Sequence, residues 1–203
     1  MQAIEALLTR RSATALTEPG PDEAALQLIF QSAVHAPDHG RLRPWRFVIV
    51  RGAARERFGE LLAAHLQRTH AGVGEETLAR ERSKAFRAPL IIVVAAHARA
   101  DVKKVPPIEQ QLSAGAAVHA MMLAARALGF NAMWKTGTPA YDDTVKAALD
   151  LAPEDAIVGF LYVGTDTQPG APAAPRPWHD LVRNWGESPP RAAGQAPRDE
   201  ATR

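Results

Sequence analysis

The stretch Gln110–Gly137, QQLSAGAAVHAMMLAARALGFNAMWKTG, constrains the fold more than any other part of the chain, because nothing else in it is so long and so apolar. From Gln111 to Leu128 nearly every helical face carries Ala, Leu, Met, Val or Gly, so a helix here has no wet side. It must be surrounded. The small residues Ser113, Ala114, Gly115, Ala116, Ala117 and Ala120 let other backbones come close, and Gly129 suits the left-handed position that ends a helix. FNAMW then reads as a buried strand. A chain of 203 residues has difficulty covering one helix on every side. A second copy of the chain is therefore an expected neighbour, since obligate dimer interfaces resemble a domain core cut in half.

The remaining elements follow from periodicity. Ile4, Leu7 and Leu8 share one face of a first helix that ends at Arg10-Arg11. After the turn TEPGPDE, the spacing of Leu26, Ile29, Phe30, Ala33 and Val34 predicts a second helix, which Pro37 stops. WRFVIV, from Trp45 to Val50, reads as a buried strand, and Phe58, Leu61, Leu62 and Leu66 give a third helix its inner face. The polar segment 72–87 reads either as an exposed helix or as a mobile cover. LIIVVAAH after Pro89 is a strand covered on both faces. Asp142 is a candidate N-cap for a helix carrying Val145 and Leu149, and AIVGFLYVG is the last strong strand, giving four in all. Past Gly164 comes an extended arm, then WHDLVRNW as one or two helical turns. The expectation is a single domain over residues 1–186, with 165–186 as its arm and 187–203 as a disordered tail.

Composition closes several routes. Lys+Arg of 24 against Asp+Glu of 22 leaves a net charge of +2, too small for a nucleic-acid or membrane surface. Without cysteine, this chain has no disulfide framework, thiolate nucleophile or cysteine-ligated metal. MQAIEALLTRRS places its basic pair after its apolar residues, the reverse of a secretory signal, and no apolar run reaches spanning length, so the cytoplasm is the expected location. Phosphate-loop, dinucleotide, zinc-protease and nucleophile-elbow motifs are not in the sequence.

Three short stretches could carry chemistry. Arg10-Arg11-Ser12 can cradle a phosphate through bidentate guanidinium groups and a hydroxyl, or can simply complement a helix dipole. His35 and His39 in HAPDH have the i, i+4 spacing of a metal pair, but Pro37 breaks the shared helical face, and no metal is expected. His39, in a polar loop that opens a strand, is placed to face a ligand. Trp134-Lys135-Thr136-Gly137 follows a strand with a glycine that allows close backbone approach to a ligand, or is an ordinary turn.

Taken in order, RRS, APDH followed by RPWRFVIV, and an Ala-rich helix ending ALGF and running into WKTG resemble the nitroreductase family of FMN-dependent oxidoreductases, in its small bacterial NAD(P)H nitroreductase branch. The resemblance spans roughly residues 1–165. It implies an α+β fold, with a mostly antiparallel four- to five-stranded sheet flanked by helices, in an intertwined homodimer with FMN at the subunit interface. It further implies that Arg10, Arg11 and Ser12 hold the phosphate and ribityl chain, and that His35 and His39 lie against the flavin. Trp134, Lys135 and Thr136 would line the cofactor from the other side of the interface, and Arg176 in the arm would supply a second phosphate contact. Ala124, Ala125, Arg126, Ala127, Leu128 and Gly129 match a segment assigned to the nicotinamide nucleotide. Relatives read Q-P-W where this chain has Arg43-Pro44-Trp45, and Arg where it has His35 and Lys135; Thr14 stands where some larger members carry Lys.

The activity so implied is ping-pong hydride transfer from NADH or NADPH to the flavin N5, and then to an electron-poor acceptor such as a nitroaromatic or a quinone, with no protein nucleophile. Dehalogenase or dehydrogenase chemistry on the same fold, an FMN-binding module without turnover, and a cofactor-free interaction dimer are the alternatives.

Overall fold

The computed structural model describes residues 2–168 and 176–186 of the chain. These fall into two units, one ending at Ala173 and one beginning at Ala174, and each is described by itself. The expected tail, 187–203, lies outside the described residues.

The first unit is built on β5 (Asp155–Asp166). It pairs antiparallel along most of its length with β3 (Leu90–His97), with β4 (Asn131–Lys135) over Phe160–Gly164, and with the short β1 (Leu16–Thr17) at Thr165–Asp166. β2 (Trp45–Arg51) pairs antiparallel with β3 and forms an edge. All pairings are antiparallel, and the five-stranded sheet adds β1 to the four strands legible in the sequence.

Alternation along the central strands divides the core. Ile91 and Val93 of β3 and Phe160 and Tyr162 of β5 pack with Phe58 and Leu62 of α3 (Ala54–Thr69). Ile92, Val94, Leu161 and Val163 pack on the opposite face, against α2 (Glu23–Ala33) and α5 (Pro107–Ala127). β3 is covered on both faces as its unbroken apolar run requires, with Ile91, Ile92, Val93 and Val94 fully buried. Local chemistry sets the helix starts. The Asp22 carboxylate accepts from the Ala25 N–H at 2.8 Å, Pro107 opens α5, and the Asp142 carboxylate accepts from Thr144 and Val145 at 2.8 and 3.1 Å to start α6 (Asp143–Ala148). Gly129, at φ +89°, ends α5.

One expectation needs correction. β2 is an edge strand, not a buried one, and Ile49 is 41% exposed because no strand lies beyond it. α1 (Ala3–Thr9) buries Ala6 and turns Ile4, Leu7 and Leu8 outward. α5 is buried on only part of its circumference within the chain: Ala114, Ala117, Val118, Met121 and Ala125 are covered, whereas Ile108 and Leu112 are 58% and 65% exposed. A single chain closes one side of α5 and leaves apolar side chains on the other. The polar segment resolves as α4 (Glu75–Ser83), which buries Leu78 and is laced by Arg82 to Glu60 and Glu75. In the second unit, His179–Leu181 form a single 3₁₀ turn and Trp178 stacks on His179.

Candidate functional site

Residues 10–13 run beside β4, where the Ala13 N–H donates to the Ala132 carbonyl at 3.1 Å. Arg11 is committed to this junction. Its guanidinium donates to Asp166 at 2.7 Å and to the Gln168 carbonyl at 3.0 Å, and the same Asp166 oxygen accepts from the Asn131 amide at 2.7 Å. Arg10 and Ser12, by contrast, have side chains without a hydrogen-bond or ionic partner among the described residues, although Arg10 is half-buried. The pair therefore divides: Arg11 ties the amino-terminal segment to the end of β5, and the Arg10 side chain stays uncommitted among the described residues.

Three residues further along β4, roughly 10 Å away in strand rise, lies the Trp134–Gly137 stretch. The Trp134 indole occupies space that a side chain at position 159 would need, since a Cβ on Gly159 would fall 2.1 Å from its Nε1. That nitrogen donates to the Val158 carbonyl at 3.2 Å, and the ring stays 37% exposed. Lys135 and Thr136 are exposed, with side chains unpartnered among the described residues. Gly137 has φ +137°, a conformation closed to residues with a Cβ.

A hydrogen-bond network centred on a buried histidine fixes this turn from behind. The Thr138 hydroxyl meets His65 Nε2 at 3.0 Å, and His65 Nδ1 meets Asp142 at 2.8 Å. Arg68 donates to the same Asp142 oxygen at 2.6 Å. His65 is only 3% exposed. Burial alone would raise the Asp142 carboxyl, but the bonds from Arg68, His65 and two backbone N–H groups outweigh it and hold the group well below the usual carboxylate range. Periodicity alone reads His65 as one more helical residue, and only the fold brings Asp142 and Thr138 to it.

His35 and His39 go separate ways. His35 Nδ1 lies 2.7 Å from the Gln31 carbonyl of its own helix, whereas His39 Nδ1 meets Glu109 at 2.6 Å in an exposed pair. The loop that carries His39 is strained: Gly40, Arg41 and Arg43 have φ of +75°, +53° and +49°. A non-glycine residue held there costs about 1–2 kcal/mol. The Asp38 carboxylate offsets part of this by accepting from the Leu42 and Arg43 N–H groups at 3.2 and 2.8 Å. Ser113 of α5 donates to the Pro37 carbonyl at 2.7 Å and accepts from Trp45 Nε1 at 3.1 Å. Arg43, an oddity by residue type in the sequence, is thus also a strained position, the kind that gathers at functional sites.

α5 separates Arg10 from His39, whereas the Trp134 ring lies against Gly115 in the first half of that helix, 3.8 Å from where a Cβ there would sit. Glu109 stands in its first turn beside His39, while Arg126 in its last turn donates to the Thr9 hydroxyl at 2.9 Å, next to Arg10. Seventeen residues at the helical rise make roughly 25 Å. Of the segment 124–129, Ala125 is buried in the core, Arg126 anchors α1, and Ala127, Leu128 and Gly129 are exposed at the corner. Arg176 is exposed in the second unit.

The sequence model of the nitroreductase family matches residues 7–165, which include both regions and the whole sheet. The chain belongs to the nitroreductase family. It is 42% identical over 165 residues to an Escherichia coli (strain K12) protein carried under the name NAD(P)H nitroreductase YdjA, covering 81% of this chain and 88% of that one. Two solved structures share the nitroreductase fold. A nitroreductase-like protein from Bacillus cereus superposes with a TM-score of 0.76 at 20% identity, over 92% of this chain and 97% of the other. The FMN complex of a nitroreductase-type protein from Desulfovibrio desulfuricans gives 0.69 at 26% identity, over 92% and 96%.

Proposed function

We propose that the chain is an FMN-dependent NAD(P)H oxidoreductase that acts as a homodimer and reduces electron-poor acceptors such as nitroaromatics and quinones. The observation that carries this reading is the pair of unpartnered cations on one strand edge. Arg10 beside the start of β4 and Lys135 at its end stand free of anions among the described residues, in a member of the nitroreductase family. Half-buried, uncompensated guanidinium is costly, and a phosphate relieves it.

The residues fit FMN on these grounds. Arg10 and Ser12 would hold the phosphate, and Arg11, through Asp166, would keep that segment in place. Lys135, Thr136 and the backbone at Gly137 would meet the ring system, with Trp134 as a flat wall beside it. Because about 25 Å of α5 lies between His39 and Arg10, the His39 loop would reach a cofactor held at Arg10 from a second copy, whose outer α5 stripe, with Ile108 and Leu112, would cover its counterpart. This pairs Trp134–Thr136 with Arg10–Ser12 on one subunit and leaves the His39 loop to the other. His35, occupied by its own helix, would line the approach. The exposed corner Ala127–Gly129 is the part of the 124–129 segment open to the nicotinamide nucleotide.

FMN, when bound, supplies the hydride chemistry that links NAD(P)H to the acceptor. The chain binds, orients and sets charge: Lys135 places a cation near the ring, and the His65–Asp142 pair holds Thr138 and so the turn that presents Lys135 and Thr136. Steady-state oxidation of NADH and NADPH with a nitroaromatic tests the reading. Parallel double-reciprocal lines are expected. FMN bound without nucleotide oxidation would reduce the protein to a binding module, and no FMN uptake at all would overturn the proposal.

A further inference from the structure

On the face of the sheet beneath α3 and α4 lies a cavity of about 210 Å³ that opens beside Lys135, Thr136 and Gly137. It is smaller than the roughly 300–1,000 Å³ of sites that enclose a whole drug-sized ligand. It therefore suits a single ring. Its floor is apolar, formed by Phe58, Leu62, Phe160 and the ring of Tyr162. Two polar groups in it are unspent. The Tyr162 side chain is 4% exposed, yet its hydroxyl has no hydrogen-bond partner among the described residues, and Arg87 has no anionic partner among them. Glu81 is the carboxylate in the lining, and Lys84 neutralises it. His65 is occupied on both nitrogens. The balance left over is positive, from Arg87 at the mouth and Lys135 on the rim.

We propose that this cavity binds the carboxylate-bearing single ring of an aromatic acceptor, with Arg87 and the Tyr162 hydroxyl holding the carboxylate over an apolar floor. The chemistry is complementary at each point. A guanidinium and a phenol both donate to a carboxylate, and the aromatic and leucine side chains cover the ring. Burial raises the Tyr162 phenol to about 12, only partly opposed by the Arg87 charge, so it stays protonated and donates at neutral pH. The proposal rests on the oxidoreductase reading only for calling the ligand an acceptor; the binding itself is independent of turnover.

Calorimetric titration of the FMN-loaded protein with benzoate, and with benzamide as the neutral isostere, tests it. Benzoate should bind at least tenfold more tightly than benzamide. Arg87→Gln should abolish that preference and Tyr162→Phe should weaken benzoate about ten- to a hundredfold, the range of one hydrogen bond to a charged group. Arg80→Gln, on the outer face of α4 where Arg80 pairs with Glu76, should leave the benzoate affinity unchanged and so exclude a general charge effect. The inference is overturned if benzoate and benzamide bind alike, if neither binds, or if Arg87→Gln leaves the preference intact. Flavin content, read from the visible spectrum of the same samples, reports separately on the oxidoreductase reading: if Arg87→Gln strips FMN, the cavity belongs to the cofactor and the acceptor proposal fails.

Discussion

The turn at Lys135–Thr138 and the loop at His39–Arg43 are held in opposite ways. Behind the turn stands a chain of bonds centred on buried His65, Thr138 to His65 to Asp142 to Arg68, with His65 at 3% exposure and Asp142 also capping α6. The loop is held by Asp38 and by an exposed His39–Glu109 pair, and it keeps three positive-φ residues within five positions. One region is tied by hydrogen bonds within the chain. The other carries strain at the surface, at the far end of a helix whose outer stripe is apolar, as expected of a segment completed by a second copy.

The comparison breaks first where the His65 network is cut. Asp142→Asn should cost about 3 kcal/mol in chemical denaturation, since it keeps the Oδ1 cap but removes the charge and the second oxygen that both His65 and Arg68 use. The sign of its pH dependence follows from the depressed carboxyl. Its contribution is complete above the ordinary value of 3.8 and is lost as pH falls toward the lower folded value. The gap between wild type and Asp142→Asn should therefore be constant near neutrality and narrow below about pH 4. Next, Arg10→Ala should weaken FMN by about 10- to 100-fold in a fluorescence titration, because it removes charge-assisted bonds to a phosphate, with little change in melting temperature. Gly137→Ala should destabilise by about 1–2 kcal/mol through backbone strain and loosen FMN along with it. Smallest of all, Glu109→Gln should change stability by less than about 0.5 kcal/mol, as exposed pairs do. A cost above that of Gly137→Ala would erase the distinction between the two regions.

Much of the fold was legible because β3 is apolar without interruption and α5 carries small residues on every side. Those patterns admit few arrangements. What escaped was relational. The sequence shows His65 as one more helical residue and Asp142 only as a cap; their meeting depends on α3 and the turn after β4 converging across dozens of residues. Arg11 looked equivalent to Arg10 until Asp166 claimed it. The apolar faces of α1 and α5 were legible as stripes, but periodicity does not say which molecule covers them. β2 misled, since an edge strand and an interior strand can have the same apolar composition.

Sedimentation of the purified protein, followed at the visible absorbance of flavin, puts the central claim to its most direct test. The account predicts one yellow species at twice the 21.9 kDa chain mass. A single-chain species, whether colourless after incubation with excess FMN or yellow by itself, would contradict a cofactor held between two copies.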